Sequence, residues 1–281
     1  ERRGADLNDS LWSARLLLED PAAIRAVHAD YLRAGAEVLS TATYQATPQR
    51  LRERGLGQEE VEGLFHLAVR LAREAVQDVG RPARVAASVG PYGAYLADGS
   101  EYRGAYGLTR EELFDFHEER FRLLAAGEAD LLALETLPSF PEAEALLRLL
   151  QKYPHKPAWF SFQCRDGGHL ADGTPLAEVG RLLDGVREVV AVGVNCVPPQ
   201  RVLPAVLELR RTCSLPLIAY PNSGEEWDAE NHRWRGSPQT RDWLQTLPRW
   251  FEAGVRFFGG CCRTTPETIR RMQGILAHIQ A

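Results

Sequence analysis

Apolar, β-type runs alternate with amphipathic helical stretches along this 281-residue chain. That alternation predicts an α/β fold with a parallel sheet inside and helices outside. Two further observations sharpen the expectation. Ala34-Gly35, Ala126-Gly127 and Ala253-Gly254 each stand between a helix and a strand. They mark one recurring helix-to-strand module, whose glycine ends the helix in the left-handed conformation. No long linker and no shift in composition interrupts the series, so residues 1–281 are expected to form a single domain. The count is seven strands, which leaves open a doubly wound sheet or an eight-stranded barrel whose first strand would precede Glu1.

The opening, residues 1–9, reads as polar and irregular, and Asp9-Ser10-Leu11-Trp12 then leads into helical spacing through Leu16, Leu17 and Leu18. Pro21 opens a second helix with Ile24, Val27, Tyr31 and Leu32 on one side, ending at Gly35, and 37–44 follows as a strand. Between 59 and 79 the residues Val61, Leu64, Phe65, Ala68, Leu71, Ala72, Ala75 and Val79 share one helical face, ahead of a strand over 84–90. Thr109 with Glu112 makes a capping box for a helix through Phe116, Phe121 and Leu124, and 130–135 is the next strand. Helices over 141–153, 176–186 and 201–209 precede strands over 158–163, 189–196 and 217–220. A helix over 243–253 leads to the strand that ends at Cys261-Cys262, and the chain closes with a helix over 266–279. Thr265 is its expected cap and Pro266 its first residue.

Composition excludes several function classes. With 44% hydrophobic and 25% charged residues the chain is of ordinary globular type, and its net charge of −5 argues against nucleic acid as a partner. No apolar run of transmembrane length and no signal-peptide pattern stands in the sequence, so no membrane partner and a cytoplasmic location are expected. Five cysteines, odd in number and sparse, suit a reducing compartment where thiols serve metals or catalysis.

In either architecture the active site lies beyond the carboxyl ends of the strands, where Thr43, Ser88, Glu135, Gln163, Asn195 and Asn222 gather. The loops over 91–107 and 221–238 are long enough to shape a substrate. The stretch Gly259-Gly260-Cys261-Cys262 places two thiols between a strand and a helix N-terminus, whose partial positive charge favours thiolate. A disulfide between adjacent cysteines would need a strained eight-membered ring, so a soft metal is the better reading. Zinc takes three protein ligands in a catalytic site and leaves one position open. Cys196 and Cys164 both end strands and compete as the third ligand, and spacing does not choose between them. Cys213 precedes a strand, at the opposite end, and reads as structural. Glu135 follows four apolar residues, a costly place for an acid unless a cation meets it. A salt bridge at the rim is its plainer role. His28, His66 and His117 read as solvated or capping residues, and Gly104 to Gly107 is too weak a pattern to argue a nucleotide site.

Taken together, several segments resemble the homocysteine S-methyltransferase family. They are Asp9-Ser10-Leu11-Trp12-Ser13, Thr43-Tyr44-Gln45-Ala46-Thr47, Ser88-Val89-Gly90-Pro91-Tyr92-Gly93-Ala94-Tyr95, Glu135-Thr136-Leu137-Pro138, Gly193-Val194-Asn195-Cys196, Tyr220-Pro221-Asn222-Ser223-Gly224-Glu225 and the Gly-Gly-Cys-Cys segment through Pro266. The resemblance is strongest to the bacterial branch that uses S-methylmethionine or S-adenosylmethionine. It implies a (β/α)8 barrel, zinc on Cys196, Cys261 and Cys262, and Glu135 receiving the substrate ammonium, with Thr41, Thr43 and Asn195 as further substrate-binding candidates. The substrates implied are homocysteine and a sulfonium methyl donor. The family's first strand, with its Asp-Gly-Ala-Met-Gly-Thr type segment, is expected to lie before Glu1. Two other readings keep the metal: a barrel lyase or hydrolase using zinc as Lewis acid, and a non-catalytic zinc-binding sensor in which Cys164 would close the site.

Overall fold

The computed structural model describes residues 4, 9, 11–228 and 233–280. Its main sheet contains β1 (Val38–Ser40), β2 (Arg84–Val89), β3 (Leu131–Leu137), β4 (Ala158–Phe162), β5 (Val189–Asn195), β6 (Leu217–Tyr220) and, after a separate antiparallel hairpin of β7 (Glu226–Asp228) and β8 (Arg233–Arg235), β9 (Val255–Phe258). The helices are α1 (Arg15–Glu19), α2 (Pro21–Ala34), α3 (Pro48–Glu53), α4 (Gln58–Val79), α5 (Tyr92–Leu96), α6 (Arg110–Ala126), α7 (Phe140–Lys152), α8 (Leu176–Leu183), α9 (Val202–Arg210), α10 (Thr240–Leu244), α11 (Leu247–Glu252) and α12 (Pro266–Gln280).

Strand order decides between the two architectures. It runs β1-β2-β3-β4-β5-β6-β9 with every neighbouring pair parallel. A doubly wound sheet reverses direction at a switch point, whereas here each strand lies beside its predecessor, which is barrel topology. The seven strands expected are the seven found, and β1 and β9 are the edges of the sheet. Val38 on β1 and Phe257 on β9 are among the few large apolar side chains left exposed. The β7–β8 hairpin was not foreseen. It occupies part of the long loop over 221–238, and of its surroundings residues 229–232 lie outside the described residues, as do most of 1–10.

Alternation along the strands sorts side chains onto two faces. Val85, Ala87 and Val89 pack outward in the large core under the helices, while Ala86, Ala133, Trp159, Ala191 and Ile218 form a separate inner layer. Four small or medium residues surround one indole, which fills the interior. Two residues farther along the same strands stand Ser88, Glu135, Ser161, Gly193 and Tyr220, so strand period alone places these above the apolar floor. The floor makes the site.

Local signals hold with three corrections. Thr109 with Glu112 closes a capping box on α6, as expected, and Asp20 caps α2, which opens at Pro21. Gly35 and Gly254 are left-handed (φ 108° and 101°), but Gly127 is extended (φ −72°, ψ −173°), so that junction leaves its helix differently. The helix expected over 243–253 is broken into α10 and α11, because Pro248 has no N–H to continue the ladder. Thr265 does not cap α12 with its hydroxyl; instead its N–H donates to Thr268 Oγ1 at 3.2 Å.

Candidate metal centre

Three sulfurs converge where β5 and β9 end. The Sγ atoms of Cys196, Cys261 and Cys262 all lie within 4.8 Å of one another, and Cys196 and Cys262 are 3.6 Å apart. The segment after β6 ties the two cysteine segments together. Cys196 N–H donates to Tyr220 O (3.2 Å), Cys261 N–H donates to Pro221 O (2.8 Å), and Cys262 O accepts Ser223 N–H (3.0 Å). Gly260 permits the tight turn, since a Cβ there would lie 2.4 Å from Thr264 Oγ1, whose hydroxyl donates to Cys261 O at 2.7 Å. Backbone strain is concentrated here. Thr136, Cys196 and Arg263 all have left-handed φ, between 53° and 64°, which costs a non-glycine residue roughly 1–3 kcal/mol.

Each strained residue is held by a neighbour. Asn195 accepts Thr136 N–H and donates to Thr136 Oγ1, both at 2.8 Å, and its Nδ2 stands 4.0 Å from Cys261 Sγ. Asn222 and Gln163 donate to the Cys196 carbonyl at 3.2 and 3.4 Å, and Arg263 reaches Glu225 at 3.3 Å. Tyr102 Oη lies 3.6 Å from Cys196 Sγ. The thiols titrate together: hydrogen bonds from Cys261 and Cys262 pull Cys196 well below the ordinary range and push its two donors above it. A cation among them would remove that conflict.

The donor set fits a soft metal. Tetrahedral ligands about 2.3 Å from zinc stand about 3.8 Å apart, close to the Cys196–Cys262 separation. Among the described residues no histidine or carboxylate joins the cluster, and thiolate-only ligation suits zinc better than a hard ion.

Glu135 sits beside this cluster, 8% exposed. Ser88 Oγ donates to Oε1, and Tyr220 Oη donates to Oε2 at 3.0 Å. Tyr220 in turn accepts Trp159 Nε1–H at 2.9 Å and meets Ser161 Oγ. Burial pushes the Glu135 carboxyl up to about 6, against the two hydrogen bonds that hold it down and with the Cys196 charge adding to the rise. No salt bridge meets it among the described residues, so the rim-pair reading falls away.

Thr41, Thr43 and Asn195 lie behind the site. Thr43 Oγ1 donates to Ser88 O at 2.6 Å and meets Thr41 Oγ1 at 2.7 Å, while Thr41 Oγ1 accepts Ser88 N–H at 3.1 Å. Their hydroxyl protons are spent positioning Ser88, and Asn195 is spent on Thr136 and Cys261. Cys164 is fully buried with its sulfur 3.9 Å from Phe162 O, and burial pushes its thiol up to about 12. Cys213 lies near Asp184 and Arg210, before β6, as expected of a structural thiol. His66 is exposed, but His28 and His117 are not solvated as expected. His28 is buried on α2, which pushes it down to about 4. His117 joins Glu142 (2.8 Å) and Arg120 (2.8 Å) in a buried network, and Arg120 also donates to the carbonyls of Tyr44, Ala46 and Gly90. Sequence reasoning missed Tyr220 and Tyr102 as site residues. The signal for Tyr220 was its place two residues beyond Ile218 on one strand; Tyr102 comes from a loop and had none.

Comparison with known proteins agrees with this geometry. A family model described as homocysteine S-methyltransferase matches residues 1–276. A homocysteine S-methyltransferase of Escherichia coli (strain K12) is 49% identical over 280 residues, covering 97% of this chain and 90% of that protein. One from Bacillus subtilis (strain 168) is 45% identical over 281 residues, covering 97% and 89%. Among solved structures, the metallated form of the Escherichia coli homocysteine methyltransferase MmuM superposes with a TM-score of 0.87 at 46% identity, covering 98% of this chain and 91% of that one.

Proposed function

From the premise that this chain belongs to the homocysteine S-methyltransferase family, we propose the division of labour by which it moves a methyl group from a sulfonium donor to homocysteine, giving methionine. The observation that carries the proposal is the meeting of Cys196, Cys261 and Cys262 at the ends of β5 and β9, beside a buried Glu135. Zinc is the cofactor, and these three sulfurs would hold it. When bound, it supplies the positive charge that keeps an acceptor thiol deprotonated near neutral pH, where a free thiol of pKa about 8.5 is mostly protonated.

The chain's own residues bind and align. Glu135, oriented by Ser88 and Tyr220, offers its carboxylate to the homocysteine ammonium and thereby sets the position of the thiol. Thr41 and Thr43 fix Ser88, and Asn195 fixes the strained Thr136 beside Cys261; we read these three as positioning residues and not as substrate contacts. No residue is needed as a general base. The Lewis-acid lyase or hydrolase reading is disfavoured by the all-sulfur donor set, since hydrolytic zinc sites recruit histidine and carboxylate. A closed sensor site fares no better, because Cys164 does not join the cluster.

The five free thiols support a reducing, cytoplasmic setting, and the continuous strand order supports one barrel domain over 1–281. No helix of the described residues is long and apolar enough to cross a membrane. The test is methyl transfer in the zinc-loaded protein with S-methylmethionine carrying labelled methyl groups. New methionine should form in proportion to homocysteine consumed and not without it; no homocysteine-dependent methionine, with S-adenosylmethionine as second donor, would refute the proposal.

A further inference from the structure

A second buried carboxylate stands next in the chain to Tyr102, the residue whose hydroxyl meets Cys196. Glu101, in the short turn Ser100–Tyr102 after α5, is 7% exposed, and its Oε2 has no hydrogen-bond partner among the described residues. Arg103, whose charge it feels, is itself exposed and turned to Asp98 (3.6 Å) and Ser100 Oγ (3.1 Å). The turn is fixed in place. A Cβ on Gly93 would lie 2.3 Å from the Glu101 nitrogen and 2.7 Å from its Cα, so α5 and the turn pack backbone to backbone. Asp98 accepts Ser100 N–H at 2.9 Å, and the next side chain, Tyr102, reaches Cys196 Sγ at 3.6 Å.

Charge then says what this carboxylate is for. Burial lifts the Glu101 carboxyl to about 7. An unpartnered oxygen in such a place is costly, and its neighbours at the cluster are anions or become so. A cation brought from outside offsets that cost. Glu135 is a separate carboxylate with its own partners, Ser88 and Tyr220, and Glu101 is not among the groups that perturb it. With Glu135 assigned to the homocysteine ammonium, the donor's own two cations remain, its sulfonium and its ammonium, and only the sulfonium must come up to the sulfur cluster for its methyl group to be transferred.

We propose that Glu101 is a specificity-determining residue for the methyl donor, its carboxylate receiving the sulfonium charge beside the sulfur cluster. The proposal rests on the methyl-transfer reading. In that reaction a lone pair of the homocysteine thiolate forms the new S–CH3 bond while the donor's S–CH3 bond breaks. Its electron pair returns to the donor sulfur, which leaves as a neutral thioether. The positive charge next to Glu101 therefore disappears during the reaction, so the carboxylate favours bound donor over spent donor. Its effect falls on donor affinity, and because the contact weakens as the charge is lost it gives no gain in kcat.

The experiment is calorimetric titration of the zinc-loaded full chain with S-methylmethionine and, separately, with methionine, which has the same amino-acid part and a neutral sulfur. In Glu101→Gln, S-methylmethionine binding and donor KM should weaken roughly tenfold, the size expected of one partly desolvated charge pair. Methionine binding, homocysteine KM and zinc content should stay as in wild type. Glu101→Asp, which draws the charge back, should show the same donor-selective loss in smaller measure, and covers the case in which the glutamine variant does not fold. Equal loss for S-methylmethionine and methionine, a rise confined to homocysteine, release of zinc, or no change would each overturn the proposal. A wild type that makes no methionine overturns the methyl-transfer reading with it; an active wild type with an indifferent Glu101→Gln overturns this proposal alone.

Discussion

Cys164 and Cys196 follow the ends of neighbouring strands, β4 and β5, and both are buried, yet they share little else. Cys164 forms an isolated antiparallel bridge with Leu170 and turns its sulfur to the Phe162 carbonyl. Cys196 adopts a left-handed φ of 53° and brings its sulfur to 3.6 Å from Cys262. Burial dominates at the first thiol and pushes it up to about 12, with the nearby Arg201 charge opposing it; hydrogen bonds from two other thiols act on the second and pull it down. A strand end supplies a place for a ligand. The backbone conformation after it, and what the neighbouring strand brings, decide whether the thiol is used.

The contrast is broken most forcefully by removing sulfurs. Cys196→Ser, Cys261→Ser and Cys262→Ser should each lose most of the zinc, measured by metal analysis, and slow methyl transfer by roughly a thousandfold or more, since loss of one of three ligands removes several kcal/mol of metal binding. Full activity in a zinc-free Cys261→Ser protein would end the metal account. Next in size is Glu135→Gln, which should raise homocysteine KM roughly ten- to a hundredfold by losing a charge-assisted hydrogen bond. Zinc content and donor KM should not move. Slowing with every thiol at saturation would give Glu135 another role.

Glu135 also has a stability consequence of defined sign. Its carboxyl rises from 4.5 to about 6 on folding, so the folded chain holds a proton that the unfolded chain has already lost. Stability from this group is therefore present below about pH 4.5 and lost as pH rises towards 6. Glu135→Gln escapes that loss and should unfold in urea about 1–2 kcal/mol later than wild type at alkaline pH, with the gap closing below pH 5. A gap independent of pH would show that the carboxyl is not perturbed as described.

The smallest effects belong to Cys164. Cys164→Ala should keep zinc and turnover, and cost about 1 kcal/mol of stability through the cavity left by one buried sulfur. Loss of zinc in this variant would place Cys164 at the metal and reverse the comparison.

Much of this was legible in the sequence, for physical reasons that differ by element. The strands were visible because a largely buried parallel strand such as Val189–Asn195 is apolar up to its last residue, and the helices because Val61 through Val79 repeat at helical spacing. Cys261 and Cys262 were visible because glycines and a helix start surround them. Other features depended on contacts between distant residues. That Cys164 stays apart depends on a bridge to Leu170, and that Thr41 and Thr43 serve Ser88 depends on strand pairing. Spacing within a strand carries no record of either. His117 looked solvated because its partner Glu142 sits on α7, which only the fold brings against α6, the helix that carries both His117 and Arg120. Polar residues in amphipathic helices are usually outside, and here that rule lost to a buried network.

The most direct test of the central claim is zinc-edge X-ray absorption on wild-type protein, with and without homocysteine, beside Cys164→Ala. Three protein sulfurs around zinc are expected, unchanged in Cys164→Ala, with one sulfur added when homocysteine is present. Four protein sulfurs in wild type falling to three in Cys164→Ala, or a shell that homocysteine leaves unchanged, would contradict it.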